Sequence, residues 1–577
     1  MGAMPVRYTV TAPNPANHRY HVRATLPAGC AELVFSSWSP GSYLMREFAR
    51  HARDVYAHHA GAPVAVDRIE RNRWRVATEG PYTLEYDVYA REKSVRTPFL
   101  DEDLGFFLPS NLLVHPLAPH AYELEVEVPA GHVGVCPLGP AVPGPAMARW
   151  TAADIDQLND SPVATGPFEH TTFSVHGVEH HHWIEPGHNG DLARMNDDLR
   201  RIVETAAALV GDGLPYPRYE FVTLHVAKGH GGLEHKDGCV LIRPRNSFAQ
   251  PKDYEEFVTL AAHEHFHSWN VKRIHPDTLG PRFDYSREHY TRDLWWLEDG
   301  TVYYEERIAF RSGLVARPRY YERLAKLIQK VEGIPGKRHQ SLEDSSLDAW
   351  IKLYRQNEDS VNTGISYYLK GAVVMLAMDL ELLHRTGGEH GVDSILRELW
   401  RRWGRHGVGY PERDALRDIA ADLAGGGDWD RWWDAHIRGT EPVEIARALD
   451  HAGLDLVWGE EKPGSWLGLE LSDRMVVESV REDGPCATAL TPGDELIAIG
   501  RERVASGSVL ADRLREIPVG TPVEILSSRE GRLRRGAAVT ARACPSDLKI
   551  VERTGMNQPR SRVHSAWIGL LPPRTNA

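Results

Sequence analysis

The sequence predicts a multidomain α+β protein, on three observations. First, 577 residues are too many for a single hydrophobic core. Second, alternating apolar and polar residues, typical of strands, mark the first 170 residues and a second stretch near the C-terminus. Third, the stretch between about 311 and 458 is rich in Leu, Ala, Arg and Glu, a helical composition. The predicted division is a β-sandwich at 1–170, a mixed domain at 171–310, a helical domain at 311–458, a β-rich module at 459–545 and a tail at 546–577.

Composition excludes several classes of protein. A hydrophobic content of 42% with 25% charged residues is ordinary for a globular protein. The net charge of −13 argues against a nucleic-acid partner, which a basic face would indicate. No apolar run reaches the roughly 18 residues of a membrane span, so no membrane partner is expected. The N-terminus has no signal-like apolar run, and the five scattered cysteines contain no C-x-x-C pair. We therefore expect a reducing, cytoplasmic location.

The N-terminal 170 residues are predicted to form strands. Tyr20–Ala24, Tyr82–Val88 and Tyr122–Val128 show period-2 alternation. Pro and Gly clusters separate these runs and indicate turns. Several short strands of this kind favour a β-sandwich.

The mixed domain contains the most informative motif of the chain. Strands are predicted near 173–176 and 221–226, and an amphipathic helix over 192–209. A second helix is predicted to carry His263-Glu264-His265-Phe266-His267, which has the H-E-x-x-H spacing. Positions i and i+4 share one face of a helix, so His263 and His267 can hold one zinc ion. Glu264 lies beside them, where a general base for an activated water belongs.

A catalytic zinc takes three protein ligands and keeps one position open. The candidate for the third ligand is Glu298, in the aromatic segment Leu294–Tyr304. Asp299 is the alternative, but its side chain would point about 100° away on a helix, so only one of the two can bind the ion. Both acids could also belong to a solvated turn. Ligation by two histidines and a glutamate is the thermolysin type.

The module at 459–545 shows a second pattern. Strands are predicted near 466–469, 475–480, 495–500 and 522–526, with a short helix over 509–514. The loop Leu467-Gly468-Leu469 and the run 492–497 (PGDELI) resemble those of a PDZ domain. The resemblance implies that a peptide could pair with the sheet edge of this module. A purely structural module is the alternative interpretation.

Longer motifs resemble a known peptidase family. The run 263–274 (HEHFHSWNVKRI), the segment 294–304 around Glu298 and the run 38–48 (WSPGSYLMREF) are similar to the glycyl aminopeptidase family of gluzincin zinc metallopeptidases. The resemblance covers nearly the whole chain. It implies a thermolysin-like zinc catalytic domain at 171–310, helices at 311–458 that complete the active site, and a PDZ domain at 459–545. It also implies removal of small N-terminal residues such as Gly or Ala.

The sequence departs from the family pattern after the third ligand. The family commonly has Gly directly after the ligand glutamate, whereas Asp299 precedes Gly300 here. The acid that thermolysin-type sites place four residues past the ligand is replaced by Val302. The sequence therefore leaves open which group orients His263.

Two further motifs resemble the wider aminopeptidase clan. The run 231–235 (GGLEH) matches the exopeptidase motif, in which Glu234 would bind the free α-amine of a substrate. Gly231 and Gly232 would let the substrate backbone approach, and His235 could line the pocket. A glycine-rich turn with an exposed glutamate is the alternative.

The second clan motif is the run 368–371 (YLKG). Its Tyr368 would donate to the developing oxyanion. Tyr367 competes for this role, and core packing is the alternative for either residue. The triple histidine at 180–182 is predicted to be structural, because neighbouring side chains on a strand point to opposite faces.

The predicted function is a zinc aminopeptidase with one Zn²⁺, acting on peptides that have a free N-terminus. The alternative is a zinc endopeptidase whose PDZ domain recruits protein substrates. A third interpretation is a peptide-binding scaffold without activity, which the complete H-E-x-x-H motif disfavours.

Overall fold

The structure is a computed structural model that describes residues 4–280, 282–459, 464–543 and 545–569. Its N-terminal part is β-rich. The strands are β1 (Val6–Thr11), β2 (Arg19–Leu26), β3 (Glu32–Phe35), β4 (Ala52–His59), β5 (Ala62–Val64), β6 (Val66–Glu70), β7 (Arg73–Val76), β8 (Tyr82–Tyr89), β9 (Arg91–Ser94), β10 (Thr97–Leu100), β11 (Gly105–Phe107), β12 (Val114–Pro116), β13 (Tyr122–Val128), β14 (Val133–Cys136), β15 (Gly139–Pro143), β16 (Ala146–Ala152) and β17 (Val163–Gly166). Two short helices accompany them, α1 (Pro109–Leu112) and α2 (Ile155–Asn159).

These strands form three sheets rather than the two of a simple sandwich. The largest has the order β16-β13-β1-β2-β8-β4-β5, and the others have the orders β12-β3-β7-β6 and β15-β14-β17-β11-β10-β9. Alternate residues of β1, such as Val6, Tyr8 and Val10, are buried in one shared core. The period-2 pattern therefore predicted the strands, while their division among three sheets depends on long-range pairing.

The next part combines a sheet with helices on one face. Its elements are β18 (Glu169–Val175), β19 (Val178–Ile184), α3 (Leu192–Val210), β20 (Arg218–Val226), β21 (Gly231–His235), β22 (Gly238–Pro244), α4 (Pro251–Phe266), a π-helical turn (Trp295–Asp299) and α5 (Gly300–Arg311). The sheet has the order β18-β19-β20-β22-β21, with β21 at an edge beside α4. Its other face packs on the N-terminal domain, where Val95 and Phe99 share a core with Leu233 and Val240.

Helices dominate the following part of the chain. They are α6 (Arg317–Glu332), α7 (Leu342–Leu347), α8 (Ser360–Thr363), α9 (Tyr367–Arg385), α10 (Val392–Arg402), α11 (Ala415–Leu423), α12 (Trp429–Trp433), a second π-helical turn (Asp434–Arg438) and α13 (Ile445–His451). Short 3-10 turns occur at Pro15–Asn17, Phe48–His51, Asp277–Leu279, Pro335–Arg338 and Gly404–His406. Helix α9 is buried on nearly every side and packs against α5 and the first π turn. Within the described ranges, no helix combines the length and the apolar character needed to cross a bilayer.

The C-terminal elements are β23 (Leu454–Val457), β24 (Leu469–Leu471), β25 (Val477–Val480), β26 (Glu495–Ile499), β27 (Glu502–Arg503), α14 (Gly507–Glu516), β28 (Pro522–Arg529), β29 (Arg532–Val539), β30 (Lys549–Glu552) and α15 (Gln558–Ile568). Strands β24 to β29 and α14 enclose a separate small core. The module docks on the helical part through Asn362, which donates to the Val480 carbonyl at 2.8 Å and accepts from the Glu482 amide at 2.9 Å.

The segment expected to be a tail is instead folded against the helical part. Strand β30 pairs antiparallel with β23, and α15 packs on α9. Trp567 is buried and its indole N–H donates to the Tyr303 hydroxyl at 2.9 Å. The sequence did not indicate these two elements, because both are short and only long-range contacts stabilise them.

Candidate active site

Helix α4 brings the two histidines of the H-E-x-x-H motif together. Its Phe257, Ala261 and Ala262 are fully buried, which turns His263 and His267 toward the cleft. Their Nε2 atoms face each other 3.0 Å apart. Two imidazole nitrogens at this separation, one helical turn apart, form one side of a possible metal site.

The remaining ring nitrogens hold the orientation of both histidines. Nδ1 of His263 lies 2.6 Å from the Glu305 carboxylate, and Nδ1 of His267 lies 2.6 Å from the Asn270 carbonyl oxygen. Both acceptors favour a proton on Nδ1, which leaves the Nε2 lone pairs free to bind a cation. The group that orients His263, which the sequence left open, is therefore Glu305 on α5.

The π turn at 295–299 presents a carboxylate to the histidines. An Oε2 atom of Glu298 lies 3.6 Å from Nε2 of His267. One donor atom each from His263, His267 and Glu298 lies within 4.8 Å of the others, so the three can hold a metal ion. Asp299 points toward α9 instead. Its Oδ2 atom lies so close to Gly371 that a Cβ atom added to this glycine would be only 1.7 Å away.

Ionisation of the site reflects its burial. Burial opposes protonation of His263, but the hydrogen bond and charge of Glu305 outweigh it and raise its pKa to about 9. Burial and the His263 charge lower the pKa of His267 to about 3. Burial raises the pKa of Glu264 to about 8 and that of Glu298 to about 7. A cation would lower both carboxyl values, because an opposite charge favours the ionised form. The donor set therefore suits a cation.

Strand β21 runs directly beside Glu264. A Cβ atom on Gly232 would lie 2.0 Å from a Glu264 oxygen, so only glycine allows this approach. Gly231 is half-exposed, and no atom outside its own segment lies within 4 Å of its Cβ position. The glycines of this motif therefore bring a strand edge against the reactive end of α4.

Glu234 on the same strand is buried and lacks a hydrogen bond at Oε1 among the described residues. The ammonium of Lys272 lies 3.7 Å from its carboxylate. Burial is the largest single influence and disfavours the charged form, but Lys272, His267 and a backbone hydrogen bond together outweigh it and lower the pKa of Glu234. Donor atoms of Glu234, Glu264 and His267 lie within 4.8 Å of one another. A charged carboxylate whose Oε1 has no hydrogen bond among the described residues thus lies beside the candidate metal site.

The other neighbours of this carboxylate come from distant parts of the chain. The loop after β3 approaches so closely that a Cβ on Gly41 (φ +80°) would lie 2.4 Å from Glu234 Oε1. Lys272 is also 2.8 Å from Asp160. His235 is fully buried with its Nδ1 3.3 Å from Asp160, on the opposite face of β21 from Glu234. That His235 lines the substrate pocket stays a prediction.

Two tyrosines were candidates for the oxyanion donor. The half-buried Tyr368 hydroxyl lies 2.9 Å from the Tyr354 hydroxyl. Tyr367 is fully buried in the core. Both of these hydroxyls remain nearly fully protonated at neutral pH, because burial raises their pKa well above the usual range. Tyr354 is a neighbour that the sequence did not indicate.

The triple histidine divides between two faces of β19, as the strand period predicted. His180 and His182 are buried, and His182 lies 3.0 Å from the Thr223 hydroxyl. His181 faces the other way and lies 3.1 Å from His170.

A cavity of about 530 Å³ adjoins Glu234 between the N-terminal domain and the α4 side of the sheet. Trp38, Tyr43, Trp350 and Lys272 are among its lining residues. The loop Trp38–Tyr43 therefore forms a wall next to the candidate site, which gives the N-terminal domain a part in it.

Several site residues were missed by sequence reasoning. Glu305 follows Glu298 by seven positions, a helical spacing that points back toward the same face and could have indicated it. Lys272 lies within the recognised run 263–274. Asp160 and Tyr354 had no local signal, since tertiary folding alone brings them near.

Two regions of the chain match family models. Residues 256–374 match M61 glycyl aminopeptidase, and residues 7–167 match the Peptidase M61 N-terminal domain. These two regions contribute the helix with the H-E-x-x-H motif and the wall around Gly41. Both regions are therefore similar to domains of one peptidase family.

Solved structures show the same fold. An aminopeptidase N family protein from Idiomarina loihiensis superposes with a TM-score of 0.90 at 27% identity, over 98% of this chain and 100% of that chain. A mutant M1 zinc metallopeptidase from Deinococcus radiodurans, bound to a Tyr-Ser-Ala substrate, has a TM-score of 0.50 at 14% identity, over 77% of this chain and 95% of that chain. At that identity the second likeness concerns the fold alone. No curated protein sequence gives a significant match.

Proposed function

We propose that this protein is a zinc-dependent aminopeptidase that removes small N-terminal residues, Gly and Ala, from peptides. The observation that carries the proposal is the position of Glu234. A carboxylate oxygen of Glu234 lies within 4.8 Å of a carboxylate oxygen of Glu264 and of a ring nitrogen of His267, next to a set of atoms suited to a metal ion. The preference for Gly rests on the name of the matched family, M61 glycyl aminopeptidase, and the resemblance noted in the sequence extends it to the similarly small Ala.

The donor set fits zinc. Two imidazole nitrogens and one carboxylate oxygen, from His263, His267 and Glu298, leave a position open, as catalytic zinc sites do. When bound, zinc supplies a Lewis acid that polarises a carbonyl and acidifies a water.

The side chains of the site divide the remaining work. Glu264 accepts a proton from the attacking water and passes it to the leaving amine nitrogen. Tyr368 donates a hydrogen bond to the oxyanion as the carbonyl becomes tetrahedral. Glu234 binds the α-ammonium of the substrate and sets the scissile bond one residue away.

The C-terminal module supports a PDZ interpretation through its element order, β24 to β27, then α14, β28 and β29. A peptide would add to the edge of β24 facing α14. In the endopeptidase alternative, this module recruits protein substrates and Glu234 does not bind an amine.

N-acetylation separates the two functions. We expect an Ala-initiated peptide to lose only its first residue, and its N-acetylated twin to remain intact, because acetylation removes the ammonium that Glu234 binds. A chelator should stop the reaction. Product masses provide the measurement. Internal cleavage of both peptides would establish the endopeptidase instead.

A matched variant links the result to the carboxylate. Glu234→Gln should lower kcat/KM for the free peptide by about tenfold or more, the usual worth of a charge-assisted hydrogen bond. Glu255→Gln, an exchange on the same helix as Glu264 at a half-buried side chain that pairs with Arg319, should leave kcat/KM unchanged.

A further inference from the structure

Three charged side chains from distant parts of the chain meet beside the candidate site. Asp160 directly follows α2 of the N-terminal domain, Glu234 belongs to β21, and Lys272 lies in the loop after α4. All three line the cavity of about 530 Å³. The ammonium of Lys272 lies 2.8 Å from Asp160 Oδ1 but 3.7 Å from Glu234 Oε1. Lys272 therefore forms a hydrogen-bonded ion pair with Asp160, whereas its distance to Glu234 is too long for a hydrogen bond.

The Lys272 ammonium has a second carboxylate within easy reach. The backbone of Lys272 is fixed, because its amide donates to the His267 carbonyl at 3.0 Å. The ammonium, however, is the end of a flexible four-carbon stem. Its distance to Glu234 is only 0.9 Å longer than its distance to Asp160. A small rotation of the stem would therefore bring the ammonium into hydrogen-bonding distance of Glu234.

The Glu234 carboxylate is confined by its surroundings. A Cβ atom added to Gly41 would lie 2.4 Å from Oε1 and 2.7 Å from Oε2, so this loop presses directly on the carboxylate. Oε1 is buried and has no hydrogen bond within the described part of the chain. Because buried polar atoms normally have such a partner, Glu234 retains capacity for a further donor.

Asp160 is held in place by the same strand. Its Oδ2 accepts from the Lys236 amide at 2.8 Å, and its Oδ1 lies 3.3 Å from Nδ1 of His235. In their ordinary charged forms, Asp160, Glu234 and Lys272 carry one net negative charge between them. One ammonium group of a ligand would neutralise that charge, which suits a site for a free N-terminus.

We propose that Asp160 is a positioning residue of the amine site. It binds the ammonium of Lys272 and so keeps Glu234 free for the α-ammonium of the substrate. Without the Asp160 charge, Lys272 would turn to Glu234 and make the charge-assisted hydrogen bond that the substrate needs. The N-terminal domain thus controls substrate binding through Lys272.

This inference rests on the proposed aminopeptidase function, so its test has two readouts. The first is KM and kcat for Ala-Ala-Ala. The second is the Kd of alaninol, which has the amine of alanine but no carbonyl to attack, measured by ligand-observed NMR. Asp160→Asn removes the charge but keeps an acceptor for the Lys236 amide. We expect it to raise KM and Kd about tenfold, the worth of one charge-assisted hydrogen bond, and to leave kcat within about twofold.

Removal of the competing lysine should restore binding. In the double variant Asp160→Asn, Lys272→Met, we expect KM and Kd to return to within about threefold of the wild type. A merely structural role of Asp160, such as support of β21, would not be rescued by loss of Lys272. Values that stay high in the double variant, or that are normal in Asp160→Asn, would overturn the proposal.

A matched control comes from the same cavity. Asp237 lines it and pairs with Arg273 at 2.7 Å. Asp237→Asn removes an equal charge and leaves the pair of Asp160 and Lys272 intact, so KM and Kd should not change. A tenfold rise in this variant as well would show a general effect of cavity charge and contradict the proposal.

Two lysine variants keep the test decisive if Asp160→Asn does not fold, as judged by circular dichroism. The longer, forked side chain of Lys272→Arg can bind both carboxylates at once, so the Kd of alaninol should rise. Lys272→Met should leave Kd near that of the wild type, because the ammonium of the ligand then neutralises Glu234. An equal rise in both variants would show that Lys272 supports Glu234, and would overturn the proposal.

The two readouts separate this inference from the proposed function. Failure of the wild type to hydrolyse Ala-Ala-Ala would overturn the proposed function, while the Kd values of alaninol would still decide the role of Asp160. Hydrolysis with equal KM in the wild type and Asp160→Asn would overturn only the role of Asp160. Absence of both hydrolysis and alaninol binding would overturn both.

Discussion

His263 and His267 each use one ring nitrogen for orientation and leave the other for a ligand. Glu305 and the Asn270 carbonyl are the two orienting acceptors. Because both rings are held before any ion binds, little side-chain entropy remains to be lost on binding. This preorganisation is the residue-scale basis of the proposed zinc site.

The role of Glu264 leads to the first prediction. Glu264→Gln should lower kcat by about 10²-fold to 10⁴-fold, because the amide cannot accept the proton of the attacking water. Zinc content should be unchanged, since Glu264 is not among the three proposed ligands. Metal analysis beside kcat checks both points. Loss of zinc from the variant would contradict the role of Glu264 as a base.

The contact between Glu305 and His263 leads to the second prediction. Glu305→Ala should weaken zinc affinity by about 10–100-fold, the usual effect of removing the partner of a ligand histidine. Competition with a chromogenic chelator measures the affinity. Glu305→Gln keeps an acceptor for Nδ1 and should lose less. Equal affinity in all three proteins would mean that Glu305 does not support the ligand.

At the scale of elements, the π turn at 295–299 matters most. A π turn carries an extra residue, which separates the directions of neighbouring side chains and is frequent at functional sites. Glu298 faces the histidines while Asp299 faces α9 at Gly371. The sequence identified both acids and favoured Glu298, but the turn that separates them follows from packing of its buried tryptophans, Trp295 and Trp296, which no local pattern specifies.

A hydrogen-bonded pair joins α9 to α13. The Glu381 carboxylate lies 3.0 Å from Nε2 of His451 and accepts from Arg385 at 2.8 Å. The His451 bond, opposed by burial and aided by Arg385, lowers the pKa of Glu381 to about 2. The stabilisation that ionised Glu381 gives the folded state is therefore complete above about pH 4.3, the pKa of a glutamate in the unfolded chain. It is lost as pH falls toward 2, the pKa in the folded state.

The third prediction follows from that pair. Glu381→Gln should be less stable than the wild type at pH 7 by on the order of 2 kcal/mol, and the difference should shrink as pH falls below about 4.3. Urea unfolding followed at pH 7 and pH 3.5 gives the comparison. Glu389→Gln, an exchange of an exposed acid near the same helix end, serves as the control. A difference independent of pH would contradict the ionic origin.

At the scale of the whole molecule, the site is assembled from separate domains. The N-terminal domain supplies Gly41, the mixed domain supplies Glu234 and the histidines, and the helical part supplies the candidate Tyr368. The core shared by Val95 and Leu233 fixes the first two domains relative to each other. A peptide bound at Glu234 would therefore lie next to the N-terminal domain as well as the mixed domain.

The C-terminal module is joined to this assembly by few polar contacts, which leads to the last prediction. Asn362→Ala leaves the Val480 carbonyl and the Glu482 amide unpaired, a cost of about 1–3 kcal/mol. Hydrogen exchange of β25 should quicken, while kcat/KM on a short peptide should not change. Arg338→Ala, which removes only an exposed pair with Asp483, should leave exchange unchanged. Unaltered exchange in Asn362→Ala would show that other contacts hold the module.

The sequence by itself determined the β-rich and helical parts, the H-E-x-x-H helix and the candidate residues Glu298, Glu234 and Tyr368. The elements and the H-E-x-x-H helix follow from local periodicity and motif spacing, whereas Glu234 and Tyr368 were indicated by the resemblance of their motifs to those of the aminopeptidase clan. Only the tertiary structure decided that Glu305 orients His263, that Gly41 approaches Glu234, and that β30 and α15 belong to the folded core. Those relations join residues far apart in the chain, and they depend on burial and packing that no local pattern contains.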